Sequence, residues 1–160
     1  MSTDVVDAAA GLAPASPVAA LRRRREVFLR HTQGSHDALI TPDDPGGVSL
    51  VERAAAALRV ASLERDPALI AHYRTRLRKL GVDPVAMEAS DAPPRLRKIL
   101  RHVTLIATAP GSATRADLEA LRDAGLDPRD VVTLAQIVAF VSYQIRVTAG
   151  LRALAADIGA

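Results

Sequence analysis

A repeated helix-boundary signal constrains the fold of this chain more than any other feature. Ser16-Pro17, Asp66-Pro67 and Asp127-Pro128 each place a capping side chain directly before a proline at the first helical position. Gly81 and Gly125 each follow an apolar segment with helical spacing, where a left-handed glycine commonly ends a helix. The sequence therefore predicts an all-α fold of about six or seven helices, with no strand.

The predicted helices follow one another with short breaks. They cover approximately residues 17–40, 49–63, 66–80, a short segment after 84, 96–106, 114–125 and 127–151. Ser49 and Glu52 form a Ser-x-x-Glu capping box at the start of the second helix. We predict a flexible N-terminal tail over residues 1–15 and a single helical domain over residues 16–160.

Composition limits both the core and the chemistry. Aromatic residues make up only 2% of the chain, so the core has to be built from Ala, Leu, Val and Ile. The chain has no cysteine, which excludes disulfides, thiolate nucleophiles and thiolate metal sites formed by its own side chains.

The charge and apolar patterns predict a cytoplasmic protein without a membrane span. The first twenty residues carry Asp4 and Asp7 where a secretory signal would be basic. The longest apolar stretch, Val131–Tyr143, is short and contains polar residues, so we expect a buried helix. The run Arg22–Arg25 is expected to form a solvated face or salt bridges between subunits. Nucleic-acid binding is the alternative, but no aromatic residues lie between the arginines for base stacking.

Several segments together resemble a known superfamily. Near the C terminus, Ala124-Gly125-Leu126 leads into Asp130–Leu134 and then Ala139–Arg146. A weaker match joins Leu50–Arg53 to Ala71–Tyr73. These segments resemble the carboxymuconolactone decarboxylase and alkylhydroperoxidase D-like superfamily, in particular its peroxidase-related members. The resemblance extends over roughly residues 17–155 and implies an alkylhydroperoxidase D-like helical domain.

The chain departs from that superfamily at the redox site. Its redox-active members have a Glu, then Cys-x-x-Cys, then a His after three intervening residues. With His72 as that histidine, the cysteine positions fall on Arg65 and Ala68, and the glutamate position falls on Arg53. Glu52 fits only if one residue is inserted before Asp66. Neither Arg nor Ala can act as a redox sulfur, so we expect no thiol peroxidase activity from this chain.

Glu52 and His72 are the candidate catalytic residues. Glu52 is interpreted first as the capping-box acid and otherwise as a proton-handling carboxylate. His72 lies beside the apolar stripe of its helix, which favours a boundary histidine with a satisfied hydrogen bond over a general acid or base. Tyr73 lies in that stripe, so we expect a core residue whose hydroxyl reaches an edge. A substrate-binding role is its alternative.

Tyr143 and Arg146 are the other candidate substrate-binding residues. They are three positions apart on an apolar helix and therefore share one face. An arginine there is expected to pair with a carboxylate, first of all in a structural ion pair that can join two subunits. Binding of a carboxylate ligand is the second interpretation. No nucleotide-binding or metal-binding motif is present, so we predict no cofactor and no metal site.

Two functional hypotheses follow from the resemblance. The first is a non-peroxidase structural or partner subunit, which assembles with itself or with a cysteine-bearing alkylhydroperoxidase-like protein. The alternative is a cofactor-free, decarboxylase-like enzyme acting on a carboxylated lactone-type small molecule. In the alternative, arginines would hold the substrate while His72 or Glu52 moves a proton.

Overall fold

The computed structural model describes residues 4–88 and 92–159, and every regular element in these ranges is helical. A 3₁₀ turn, Pro110–Ser112, lies between the helices Pro94–Thr108 and Arg115–Arg122. The α-helices are α1 (Val5–Ala10), α2 (Pro17–Arg23), α3 (Glu26–Ile40), α4 (Leu50–Leu63), α5 (Pro67–Lys79), α6 (Pro84–Glu88), α7 (Pro94–Thr108), α8 (Arg115–Arg122) and α9 (Pro128–Gly159).

The boundary signals of the sequence lie where they were predicted. The Asp66 carboxylate accepts the backbone N–H of Leu69 at 2.9 Å, and Pro67 is the first residue of α5. Gly81 and Gly125 have φ angles of 77° and 79°, a left-handed conformation that glycine adopts without a steric penalty. The all-α fold class is confirmed, because these local signals agree with the long-range packing.

Helix α1 corrects the expected flexible tail for residues 4–10. Val6 is buried, and Asp4 caps the helix by accepting the N–H groups of Val6 and Asp7. The Arg22 guanidinium pairs with both Asp4 and Asp7. A six-residue helix carries too little periodicity to be recognised from sequence, and tertiary contacts stabilise it. Residues 1–3 lie outside the described residues.

The predicted first helix is divided in two. Arg24 ends α2, and Arg25 leaves the helical conformation with φ −114° and ψ 55° before α3 begins. This turn lets Arg22 reach the acids of α1 while Arg24 and Arg25 remain exposed. The division and the additional α1 explain why the described residues form more helices than the six or seven that we predicted.

Helix α4 forms the centre of the domain. Its residues 54–58, four alanines followed by a leucine, are each at most 3% exposed. Small side chains on several faces allow α5, α7 and α9 to pack closely around it. The core is therefore built mainly from aliphatic residues, with Tyr73 as a fully buried aromatic side chain.

Helix α9 is the longest element and packs against α1, α2, α3, α4 and α7. By length and mean hydropathy alone it is long and apolar enough to cross a membrane, and 39% of that apolar window is buried inside the domain. A core helix of a folded domain can meet the same criterion. Its outward face carries Val132, Ala135, Ala139 and Tyr143.

Candidate functional site

A histidine pair joins α3 to α5. The Nε2 atoms of His36 and His72 are 3.2 Å apart, and the two rings meet edge-on with centroids 5.3 Å apart. His36 is buried, and its Nδ1 lies 3.0 Å from the carboxylate of Asp37. Asp37 is exposed, so the pair connects the surface of α3 to the half-buried side chain of His72.

The hydrogen-bond partners determine which nitrogen atoms carry protons. An ionised Asp37 carboxylate only accepts hydrogen bonds, so the Nδ1 of His36 carries hydrogen and donates. The Nε2 of His36 then accepts, and the Nε2–H of His72 is the donor. In this assignment from the network, the Nδ1 of His72 retains its lone pair.

The surroundings of His72 keep it neutral. Burial, followed by the nearby His36, Lys79 and Arg76, lowers the pKa of His72 from 6.5 to about 4. His72 also borders a cavity of about 280 Å³ between α1 and α5, lined mainly by alanines. At neutral pH the ring is therefore uncharged, and its low pKa makes it a weak general base.

Tyr73 lies in the core rather than at an edge. Its side chain is fully buried, and its hydroxyl donates to the Oε1 of the fully buried Gln144 on α9. Burial raises the pKa of Tyr73, so the phenol stays protonated. The contacts of Tyr73 are those of a structural residue that connects α5 to α9.

Glu52 stabilises the start of α4. One carboxylate oxygen accepts the backbone N–H of Ser49 at 2.9 Å, and the other accepts from Arg95 at 2.7 Å. Arg95 also donates to the carbonyls of Gly47 and Ala124, at 2.6 Å each. The capping box is thus present, and the contacts of Glu52 do not include His72 or the histidine pair.

Tyr143 and Arg146 share the exposed side of α9, as their spacing predicts. The hydroxyl of Tyr143 lies 3.2 Å from the Oγ1 of Thr32 on α3. Arg146 donates to the carbonyl of Ser142 in its own helix, at 2.9 Å. Within the described parts of the chain, Arg146 has no carboxylate partner, so an ion pair between subunits and a bound carboxylate both remain open hypotheses.

The positions that the resemblance assigns to the two cysteines and the glutamate lie at helix boundaries. Arg65 is exposed in the turn between α4 and α5, with a φ of 58°, and Ala68 lies in the first turn of α5. Between them, the Asp66 carboxylate caps α5 and accepts from Arg152 at 2.7 Å. Arg53, at the glutamate position, is buried and donates to three backbone carbonyls that precede α4.

His36 is a site residue that the sequence pattern did not indicate. The spacing of His31 and His36 is unsuitable for a shared metal on one helix, and no local pattern links His36 to His72. The two residues meet only because α3 and α5 converge in the folded chain. Across residues 4–88 and 92–159, no three His, Asp or Glu side chains form a group able to hold a metal ion.

Comparison with known proteins supports the fold. No family model matches the chain, and no curated protein matches it. A crystal structure of an uncharacterized peroxidase-related protein from Silicibacter sp. TM1040 superposes with a TM-score of 0.69 and 20% identity, covering 87% of this chain and 86% of the other. A second, described as an alkylhydroperoxidase AhpD core and an uncharacterized peroxidase-related protein from Ralstonia eutropha JMP134, has a TM-score of 0.62 and 25% identity. It covers 79% of this chain and 70% of the other. The chain therefore has an alkylhydroperoxidase D-like fold.

Proposed function

We propose that this chain is a redox-inactive protein on an alkylhydroperoxidase D-like scaffold, and that it acts as a structural or partner subunit. The observation that carries the proposal is the chemistry at the matched cysteine positions, Arg65 and Ala68. Neither side chain can be reversibly oxidised by peroxide, and the chain contains no thiol. The histidine and glutamate candidates also have separate sets of contacts, so they do not form one proton relay.

The outward face of α9 supports self-association. Ala135 and Ala139 lie on that face and line a groove of about 440 Å³ against α7 and α8, together with the exposed Leu118. Small side chains allow a second helix to approach closely, and the apolar lining favours burial. We therefore propose a cytoplasmic homo-oligomer, with a cysteine-bearing alkylhydroperoxidase-like protein as the other candidate partner.

Two measurements on the purified protein test this proposal. The chain alone should not turn over hydroperoxide, and sedimentation equilibrium should detect an oligomer. Ala139→Arg should shift the protein toward monomer, because a guanidinium would lie in the apolar groove. Ala149→Arg is the matched control, since Ala149 is exposed on another face of the same helix. Hydroperoxide turnover without an added partner would contradict the proposal, as would a monomer at every concentration that also fails to bind a cysteine-bearing alkylhydroperoxidase-like protein.

The cofactor-free, decarboxylase-like enzyme remains the second candidate. The observation that favours it is that His72, which is neutral at pH 7, lines the cavity between α1 and α5. A carboxylated lactone-type small molecule is the substrate class to test. Under this hypothesis His72→Gln should abolish turnover. Glu52→Gln serves as a comparison, because Glu52 belongs to a different set of contacts. Unchanged turnover in His72→Gln would eliminate His72 as the residue that moves the proton, and absence of turnover by the unmodified chain would eliminate the candidate.

A further inference from the structure

A second groove lies between the α2–α3 junction and α9. It encloses about 580 Å³, a volume typical of small-molecule sites. Leu21, Phe28, Leu29 and Val147 supply its apolar lining. Phe28 and Leu21 are 62% and 48% exposed, so large apolar side chains face solvent here. Such a surface favours an apolar group that would cover it.

Arginine side chains give this groove a positive charge that a ligand could neutralise. Arg22, Arg24 and Arg25 line the groove, and no acidic residue does. Arg22 is already paired with Asp4 and Asp7.

The two remaining arginines differ in their surroundings. The Arg25 guanidinium lies 5.6 Å from the centroid of the Phe28 ring. Within the ranges 4–88 and 92–159, Arg24 makes no ion pair or side-chain hydrogen bond. Arg24 and Arg25 therefore present two guanidinium groups beside an apolar surface, and a guanidinium matches a carboxylate in shape and charge.

A pair of hydroxyl groups adds a polar contact. Thr32 and Tyr143 both line the groove, and their oxygen atoms are 3.2 Å apart. Each hydroxyl has one O–H donor, and a single hydrogen bond between them uses only one of the two. The other O–H remains available to donate to an oxygen of a bound molecule.

We propose that this groove binds an amphipathic carboxylate, a molecule with an alkyl or aryl chain that ends in one carboxylate. The chain would lie against Phe28 and Leu21, and the carboxylate would pair with Arg24 and Arg25. Apolar lining, uncompensated positive charge and a spare hydroxyl donor occur together in this groove. The inference does not depend on the proposed function, since it requires neither redox activity nor an oligomer.

Calorimetric titration with octanoate and with 1-octanol tests the charge and the apolar parts separately. Octanoate should bind about tenfold more tightly than 1-octanol, as one charge-assisted hydrogen bond implies. Added salt should weaken octanoate binding and leave 1-octanol binding unchanged, because the guanidinium groups are exposed. The chain has no tryptophan, so its fluorescence arises from Tyr73 and Tyr143. Only Tyr143 lines this groove, so octanoate should change its emission.

Two variants and a control locate the site. Arg24→Gln combined with Arg25→Gln should remove the preference for octanoate and preserve 1-octanol binding. Phe28→Ala should weaken the binding of both ligands. Arg78→Gln, at an exposed position of α5, should bind both ligands as the unmodified chain does. Circular dichroism of each variant checks that it is folded.

Several results would overturn the inference. Equal affinity for octanoate and 1-octanol would show an apolar surface without charge selection. Octanoate affinity that survives the double arginine substitution would place the ligand elsewhere. Absence of saturable octanoate binding would show that the groove does not bind an amphipathic carboxylate. Finally, the protein could form an oligomer that Phe28→Ala dissociates and that octanoate does not dissociate. That result would identify a second copy of the chain as the occupant of the groove. Hydroperoxide turnover is measured separately, so failure of this inference and failure of the proposed function remain distinguishable.

Discussion

Acidification should destabilise the protein through His72. In the unfolded chain a histidine takes up a proton as the pH falls through about 6.5, its ordinary pKa. In the folded protein, burial among His36, Lys79 and Arg76 lowers the pKa of His72 to about 4. Between these values the unfolded state binds more protons, so the free energy of unfolding falls with decreasing pH. The stabilisation is complete above pH 6.5 and is lost as the pH falls through 4.

The size of the effect follows from the two pKa values. Integrating proton uptake from pH 7.5 to pH 4.5 gives a loss of about 2.5 kcal/mol in the free energy of unfolding from this one residue. That is a large part of the total stability of roughly 5–15 kcal/mol expected for a natural domain. The loss should therefore be measurable above the contributions of the surface carboxylates.

Urea unfolding followed by far-ultraviolet circular dichroism at several pH values measures this loss. The glutamine side chain of the His72→Gln variant does not take up a proton in this pH range. The pH-dependent loss in the free energy of unfolding should therefore be smaller in the variant than in the unmodified chain, by about 2.5 kcal/mol. His31→Gln is the matched control, because His31 is exposed on α3. Parallel pH profiles for His72→Gln and the unmodified chain would refute the reasoning.

Three further predictions concern stability and are tested by the same unfolding assay. Glu52→Ala should destabilise by about 1–2 kcal/mol, because it removes both the capping box and the partner of Arg95. Tyr73→Phe should cost about 1–3 kcal/mol, because it leaves the buried Gln144 without its donor. Gly47→Ala should destabilise the loop before α4, because an added Cβ would overlap the buried carboxylate of Asp130, which is held in place by the backbone N–H of Asp127.

A control variant for each of these predictions distinguishes the loss of the named contact from a general effect of substitution. Glu119→Ala removes an exposed ion pair and should change stability by less than about 0.5 kcal/mol. Gly111→Ala places a Cβ where no atom lies within 4 Å, and should be tolerated. For Tyr73, a second substitution of Gln144→Leu should recover part of the loss, since no buried amide would then lack a partner. Similar losses in variant and control would contradict the assigned contacts.

The fold was predictable from sequence to the extent that its signals are local. Capping residues and glycine ends depend on a few neighbouring positions, and Ser49, Asp66 and Gly125 lie where those rules place them. Helix α1 escaped prediction because its stability comes from Arg22, which is distant in sequence from the acids that it binds. The turn at Arg25 had no proline or glycine to indicate it.

The candidate site was less predictable than the fold. The sequence indicated His72, but its partner His36 lies 36 positions away on another helix. For Glu52 the local capping pattern predicted the contact with Ser49, and only the structure added Arg95. Side chains that meet across helices leave no periodic trace in a single sequence, so chemistry that depends on such meetings requires the structure.

The Arg152 side chain links α9 to α1 and to the start of α5. From α9 it donates to the carbonyl of Ala9 at 2.7 Å and binds the carboxylate of Asp66. A truncation that removes the last turns of α9, including Arg152, would therefore remove one of the contacts that hold α1, and α1 lines the cavity beside His72. Proteolytic trimming at the C terminus should thus increase solvent access to a histidine whose helix lies in the middle of the sequence.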